Sequence, residues 1–74
     1  MNWFKLNTGA TNPYLPANYT LNNNPGCVGS ETLCSINAQT DANNKPIITG
    51  QIQTAITNAL NGIITPNVTQ LKAA

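Results

Sequence analysis

The chain has no histidine and no arginine, and only five charged side chains among 74 residues: Lys5, Glu31, Asp41, Lys45 and Lys72. Each absence removes a class of function. Without histidine, the side chain that ordinarily changes charge near neutrality is missing, and with it the common acid–base switch. Without arginine there is no bidentate fork for phosphates or base edges. Three scattered lysines make no patch that could track a phosphate backbone, so nucleic acid is not an expected partner. Two cysteines without histidine fall short of the four nitrogen or sulfur ligands of a structural zinc site. No apolar run approaches the ~20 residues that span a bilayer. Nor does Met1–Leu6 carry the apolar stretch of about seven or more residues that marks a signal peptide.

Aromatic residues are equally sparse, 5% of the chain: Trp3, Phe4, Tyr14 and Tyr19. A domain of this length buries only about 60% of its unfolded surface, so its core is thin and a covalent staple is expected. The two cysteines are the candidates. Cys27 and Cys34 are separated by six residues, in a loop opened by Pro25-Gly26 and containing Gly29. A tight turn there brings their Cα atoms within the ~5.5 Å that a disulfide requires. Such a bond would contribute roughly 2–3 kcal/mol through the short loop that it closes. The competing reading is two buried thiols in a reducing cytosol. The spacing is not that of a Cys-x-x-Cys redox pair.

What the chain does contain is Asn, Thr, Gln and Ser. Charged residues are 7%, against a usual ~25%. Disorder is normally accompanied by high net charge, and here it is +1, so the composition does not describe a solvated random chain. An uncharged polar surface with an even, closely spaced cysteine count fits an extracytoplasmic protein.

Along the chain, Trp3, Phe4 and Leu6 mark a first short strand near 3–6. They read either as core packing or as an exposed aromatic platform. Residues 7–25 are loop-rich, punctuated by Gly9, Pro13, Pro16 and Pro25. Within them Tyr19-Thr20-Leu21 forms a three-residue strand with Tyr19 and Leu21 on one face, and Asn22–Asn24 a turn. Residues 26–38 are the cysteine loop followed by a half-buried strand near 33–38, read from the alternation Ser35-Ile36-Asn37-Ala38. Residues 39–46 form a polar turn. Asp41 and Asn43 alternate as acceptors there, but one carboxylate is too few for calcium, and an Asx-type turn is expected.

The clearest periodicity runs over 49–62. Thr49 stands at the N-cap. Ile52, Ile56, Ala59, Leu60 and Ile63 form an apolar stripe. Gly62 sits where a left-handed C-terminal cap belongs. The helix is placed at about 50–61 and is marginal unless its stripe is buried, against its own domain or against a partner. After Pro66, Val68 and Thr69 favour a strand, but Val68 and Leu71 lie three apart, so strand periodicity is broken. Asn18-Tyr19-Thr20 and Asn67-Val68-Thr69 match the glycosylation triplet, which an Asn/Thr-rich chain produces by chance.

Catalytic constellations are missing. Glu31 and Asp41 could serve as a glycosidase pair only across a deep cleft. Ser30 and Ser35 have no base, and no phosphate-binding glycine motif occurs. Thiol chemistry at Cys27 or Cys34 would need a neighbouring cation, and Lys45 is the nearest in sequence. The expectation is no enzyme, no catalytic residue, no cofactor and no metal.

Taken in order, Trp3-Phe4, Tyr19-Thr20-Leu21, Cys27 with Cys34-Ser35-Ile36-Asn37-Ala38, and Lys45-Pro46-Ile47-Ile48-Thr49 ahead of the helix resemble a group of small exported proteins of Bacteroidota without assigned function. The resemblance covers most of residues 2–61. It implies an envelope or extracellular location and an oxidised cysteine pair, and it carries over no catalytic residue.

The expectation for the whole, residues 1–74, is one small α+β, disulfide-stapled domain: short strands, one helix in the C-terminal half and much irregular chain. Its expected role is a secreted or cell-envelope accessory module that packs against a protein partner or another copy of itself. Trp3, Phe4, Tyr19, Ile52, Ile56 and Leu60 are the candidate interaction residues. The alternatives are a subunit of an extracellular fibre or surface assembly, completed by strand pairing between neighbours, and a glycan-binding module using Trp3, Tyr14 or Tyr19.

Overall fold

A computed structural model describes residues 1–73. Four strands and one α-helix make up the fold: β1 (Asn2–Leu6), β2 (Tyr19–Leu21), β3 (Thr32–Ala38), α1 (Gly50–Leu60) and β4 (Thr69–Lys72), with a 3₁₀ turn at Pro16–Asn18 just before β2. The expected α+β, disulfide-stapled architecture is the one found. The sheet is antiparallel in the order β2-β1-β3-β4, and α1 packs on one of its faces. A fourth strand that the sequence left open is present.

Register decides which side chains meet α1. Phe4 pairs with Leu21 and Ile36, Leu6 with Tyr19, and Asn2 with Ala38. Because side chains alternate across a strand, Phe4, Leu6, Tyr19, Ile36 and Ala38 share the face toward the helix. Trp3, Lys5, Thr20, Ser35 and Asn37 fall on the opposite one. The core joins Phe4, Tyr19, Leu33, Ile36, Ala38 and Leu71 of the sheet to Ile52, Ile56 and Ala59 of α1.

The strand β3 departs from the expected half-burial. Its register with β4 shifts between Leu33, opposite Leu71, and Ser35, opposite Gln70. One extra residue, Cys34, is inserted there as a β-bulge. The bulge lets Leu33 and Ile36, three apart, both face α1, and it turns Cys34 to the other side. Ser35 is fully buried although it lies on the face away from the helix. The 22–31 connection is the cause, because β2 and β3 flank β1 and the chain must pass over β1 to join them. The Cys27–Cys34 bond, with Cα atoms 5.9 Å apart, pins that connection to the central strand.

Helix α1 is capped as the sequence indicates. Thr49 Oγ1 accepts from Ile52 N at 3.4 Å. At the other end Gly62, at φ 77°, allows Ile63 N to donate to Asn58 O and Gly62 N to Ala59 O, at 2.9 and 3.0 Å. This is the paired closure of a Schellman motif. The buried stripe is Ile52, Ala55, Ile56 and Ala59, which corrects the expected one. Leu60 lies at the edge of the wheel and is 44% exposed. Ile63 lies beyond the cap and is exposed as well. The 39–46 segment closes through a Thr40–Pro46 bridge. Asp41 Oδ1 accepts from Asn43 N at 2.7 Å and Lys45 N at 3.0 Å, the Asx geometry expected of it.

Candidate functional site

The six candidate interaction residues do not gather on one surface. Phe4, Tyr19 and Ile56 are fully buried and Ile52 nearly so. An aromatic-poor domain commits them to its own core, so their assignment as contact residues is corrected. Trp3 is half-buried on the sheet face away from α1, and Leu60 is exposed at the end of the helix. The aromatic trio of the glycan reading is likewise divided. The Tyr14 hydroxyl is bonded to Thr57 Oγ1 of α1 at 2.6 Å. The Tyr19 hydroxyl donates inward to Pro13 O, also at 2.6 Å, and Trp3 lies across the sheet.

Two concave features bear on the candidate site. The larger is a groove of about 490 Å³ between α1 and the 65–68 turn. Its apolar walls come from Ile52, Ala55 and Val68, and its rim carries Asn and Gln amides with no charged side chain among the described lining residues. The turn is firmly held. Val68 N and Thr69 N both donate to Thr65 O at 3.0 Å, and Thr65 N donates to Thr69 Oγ1 at 3.0 Å. Asn67 takes a left-handed conformation at φ 64°, and its carbonyl accepts from Asn37 Nδ2 at 3.1 Å. Asn37 also borders the groove, and its Oδ1 is buried without a partner among the described residues. Leaving a buried acceptor unpaired costs roughly 1–3 kcal/mol.

The second feature is a cleft of about 270 Å³ beside the disulfide, lined by Lys5, Thr8, Gly26, Cys27, Cys34 and Lys72 among others. Cys34 is 3% exposed, whereas Cys27 is only half-buried at the rim. The Ser35 hydroxyl lies 3.3 Å from Cys27 Sγ and donates to Gln70 Oε1 at 3.3 Å. Lys45, the lysine nearest the pair in sequence, is engaged elsewhere and donates to Tyr19 O at 2.7 Å. The cations that reach the sulfurs' surroundings are Lys5 and Lys72, from β1 and β4. Sequence proximity could not find them, because the antiparallel pairing of β1, β3 and β4 brings them together.

Among the described residues, no helix is long and apolar enough to cross a membrane, and no group of three or more His, Cys, Asp or Glu side chains is placed to hold a metal ion. No family model matches the chain, and neither a curated protein nor a solved structure matches it.

Proposed function

We propose that the chain is an exported, non-catalytic interaction module that seats a partner protein in the groove between α1 and the 65–68 turn. The groove itself carries the reading. Its volume of about 490 Å³ falls within the ~300–1,000 Å³ of typical ligand sites, and an apolar wall with a few polar groups is their usual lining. The lining, which includes Met1, carries no charged side chain among the described residues, and this favours an uncharged partner segment. Such a segment would place one aliphatic side chain against Ile52, Ala55 and Val68, and amide groups against the Asn and Gln rim. Export is supported by the disulfide, which persists in oxidising compartments. The low-charge surface and the resemblance to small exported proteins of Bacteroidota support it too, and they favour an envelope or extracellular partner.

A photo-crosslinking residue in place of Thr54, an exposed position on the groove, tests this on native envelope material. The expected result is capture of one defined protein, with the crosslink mapping to the groove. Asn58→Lys, which puts charge on the rim, is expected to abolish that capture. A chain that traps nothing and sediments as a monomer at high concentration would exclude the reading.

A further inference from the structure

The structure assigns to Cys27–Cys34 a second role beyond stapling: we propose that it is an exchangeable disulfide, entered at Cys27 Sγ by the thiolate of an external dithiol. The inference does not depend on the groove or on its partner.

Three observations carry it. The first is the asymmetry of access. Cys27 is half-buried at the rim of an open cleft, while Cys34 is buried behind it in the bulge of β3. Exchange requires that one end of the bond be approachable and the other leave, and Cys27 is the more exposed of the two and borders the cleft. The second is the charge around the cleft. Two of the chain's three lysines, Lys5 and Lys72, line it. The carboxylate at this end of the sheet is Glu31, whose amide donates to Lys72 O at 3.1 Å. Nearby cations stabilise a thiolate over a thiol, and the Ser35 hydroxyl, 3.3 Å from Cys27 Sγ, can turn to donate to it once it is charged. The third is that the loop is held without its sulfurs. Ala73 N donates to Val28 O at 3.0 Å, and Gly29 packs so closely on the end of β4 that a Cβ there would lie 2.1 Å from Ala73 N. The two sulfurs therefore remain neighbours after the bond between them opens.

The exchange balances. The incoming thiolate bonds to Cys27 Sγ, the Cys27–Cys34 bond breaks, and Cys34 leaves as a thiolate that takes a proton from water. The second thiolate of the dithiol then attacks the dithiol sulfur held in the mixed disulfide and expels Cys27 as a thiolate, which in turn takes a proton from water. The dithiol becomes a cyclic disulfide, and the protein gains two electrons and two protons.

Dithiothreitol is the probe. Folded protein without denaturant is incubated with it, quenched by alkylation at intervals and weighed by intact mass, with circular dichroism recording the fold. Both thiols are expected to appear while the circular dichroism stays native. The exposed pair Lys5→Gln/Lys72→Gln is expected to slow exchange roughly three-fold or more, through a poorer attacking encounter and a poorer leaving group. In a Cys34→Ser variant, the pH dependence of Cys27 alkylation is expected to report a thiol more acidic than the ordinary ~8.5, with Ser35→Ala moving it back. Reduction only where the chain unfolds, the same rate in the double lysine variant, or a Cys27 thiol of ordinary acidity would each overturn the proposal.

Discussion

The Tyr19 hydroxyl is buried with the core and donates to Pro13 O at 2.6 Å. Burial first, and the neighbouring Tyr14 second, push its ionisation well above the ordinary phenol range. The sign follows from linkage. Below the unfolded-state value of ~10 the phenol is neutral in both states, and the full stability is present. Above it the unfolded chain loses its proton while the folded one keeps it, so stability falls as pH rises past about 10. Tyr19→Phe removes this hydroxyl and leaves Pro13 O short of a donor, and it is expected to cost about 1 kcal/mol near neutral pH. Denaturant unfolding of both proteins at pH 8 and pH 11 checks this: the difference between them should shrink at the higher pH. Gly29 is the other residue whose identity the structure fixes. It sits at φ 129° with its missing Cβ 2.1 Å from Ala73 N. Gly29→Ala is expected to push the loop off the end of β4 and to lower stability by about 1–3 kcal/mol, visible as lost hydrogen-exchange protection at the Ala73 amide.

Among the elements, α1 was the most legible, because its signals are local. Thr49 and Gly62 mark its ends by chemistry that needs no tertiary contact. Thr49→Ala is expected to cost about 0.5–2 kcal/mol, read as a lower urea midpoint at unchanged slope. The apolar spacing overstates the stripe at two places: Leu60 sits at the edge of the wheel, and Ile63 lies past the cap that ends the helix. Strands β1 and β2 were legible from their few aromatic and β-branched residues. The β4 strand is obscured in the sequence by Val68, which precedes it and breaks the apparent alternation. The alternation is Thr69–Leu71, both buried, whereas Val68 lines the groove. Thr69 is hidden as a core residue by its hydroxyl, which is satisfied by Thr65 N. The bulge at Cys34 could not be read at all, because a period of two carries no mark of an inserted residue until the partner strand is known. The groove had no local signal either, since Asn37, Ala55 and Val68 come from three separate elements.

At the scale of the molecule, the sheet ends in strands of three and four residues, β2 and β4. Edges so short offer little template for strand addition, which weighs against the fibre reading. Stability at this size is a small difference between large quantities. At roughly 0.05–0.15 kcal/mol per residue, a chain of this length holds about 4–11 kcal/mol. The disulfide closes a short loop and contributes about 2–3 kcal/mol of it. The remaining hold on that loop, through Val28 O, Gly29 and the Glu31 amide, does not involve sulfur. The Cys27→Ala/Cys34→Ala variant is therefore expected to stay folded at 25 °C, but with its melting temperature lowered by about 10–20 °C. Circular dichroism melts of the two proteins test this. A variant unfolded at every temperature would mean that the sulfur bond alone holds the 22–31 connection on the sheet. Reduction would then be an unfolding event, and the exchange proposed at Cys27 would have no folded product to form.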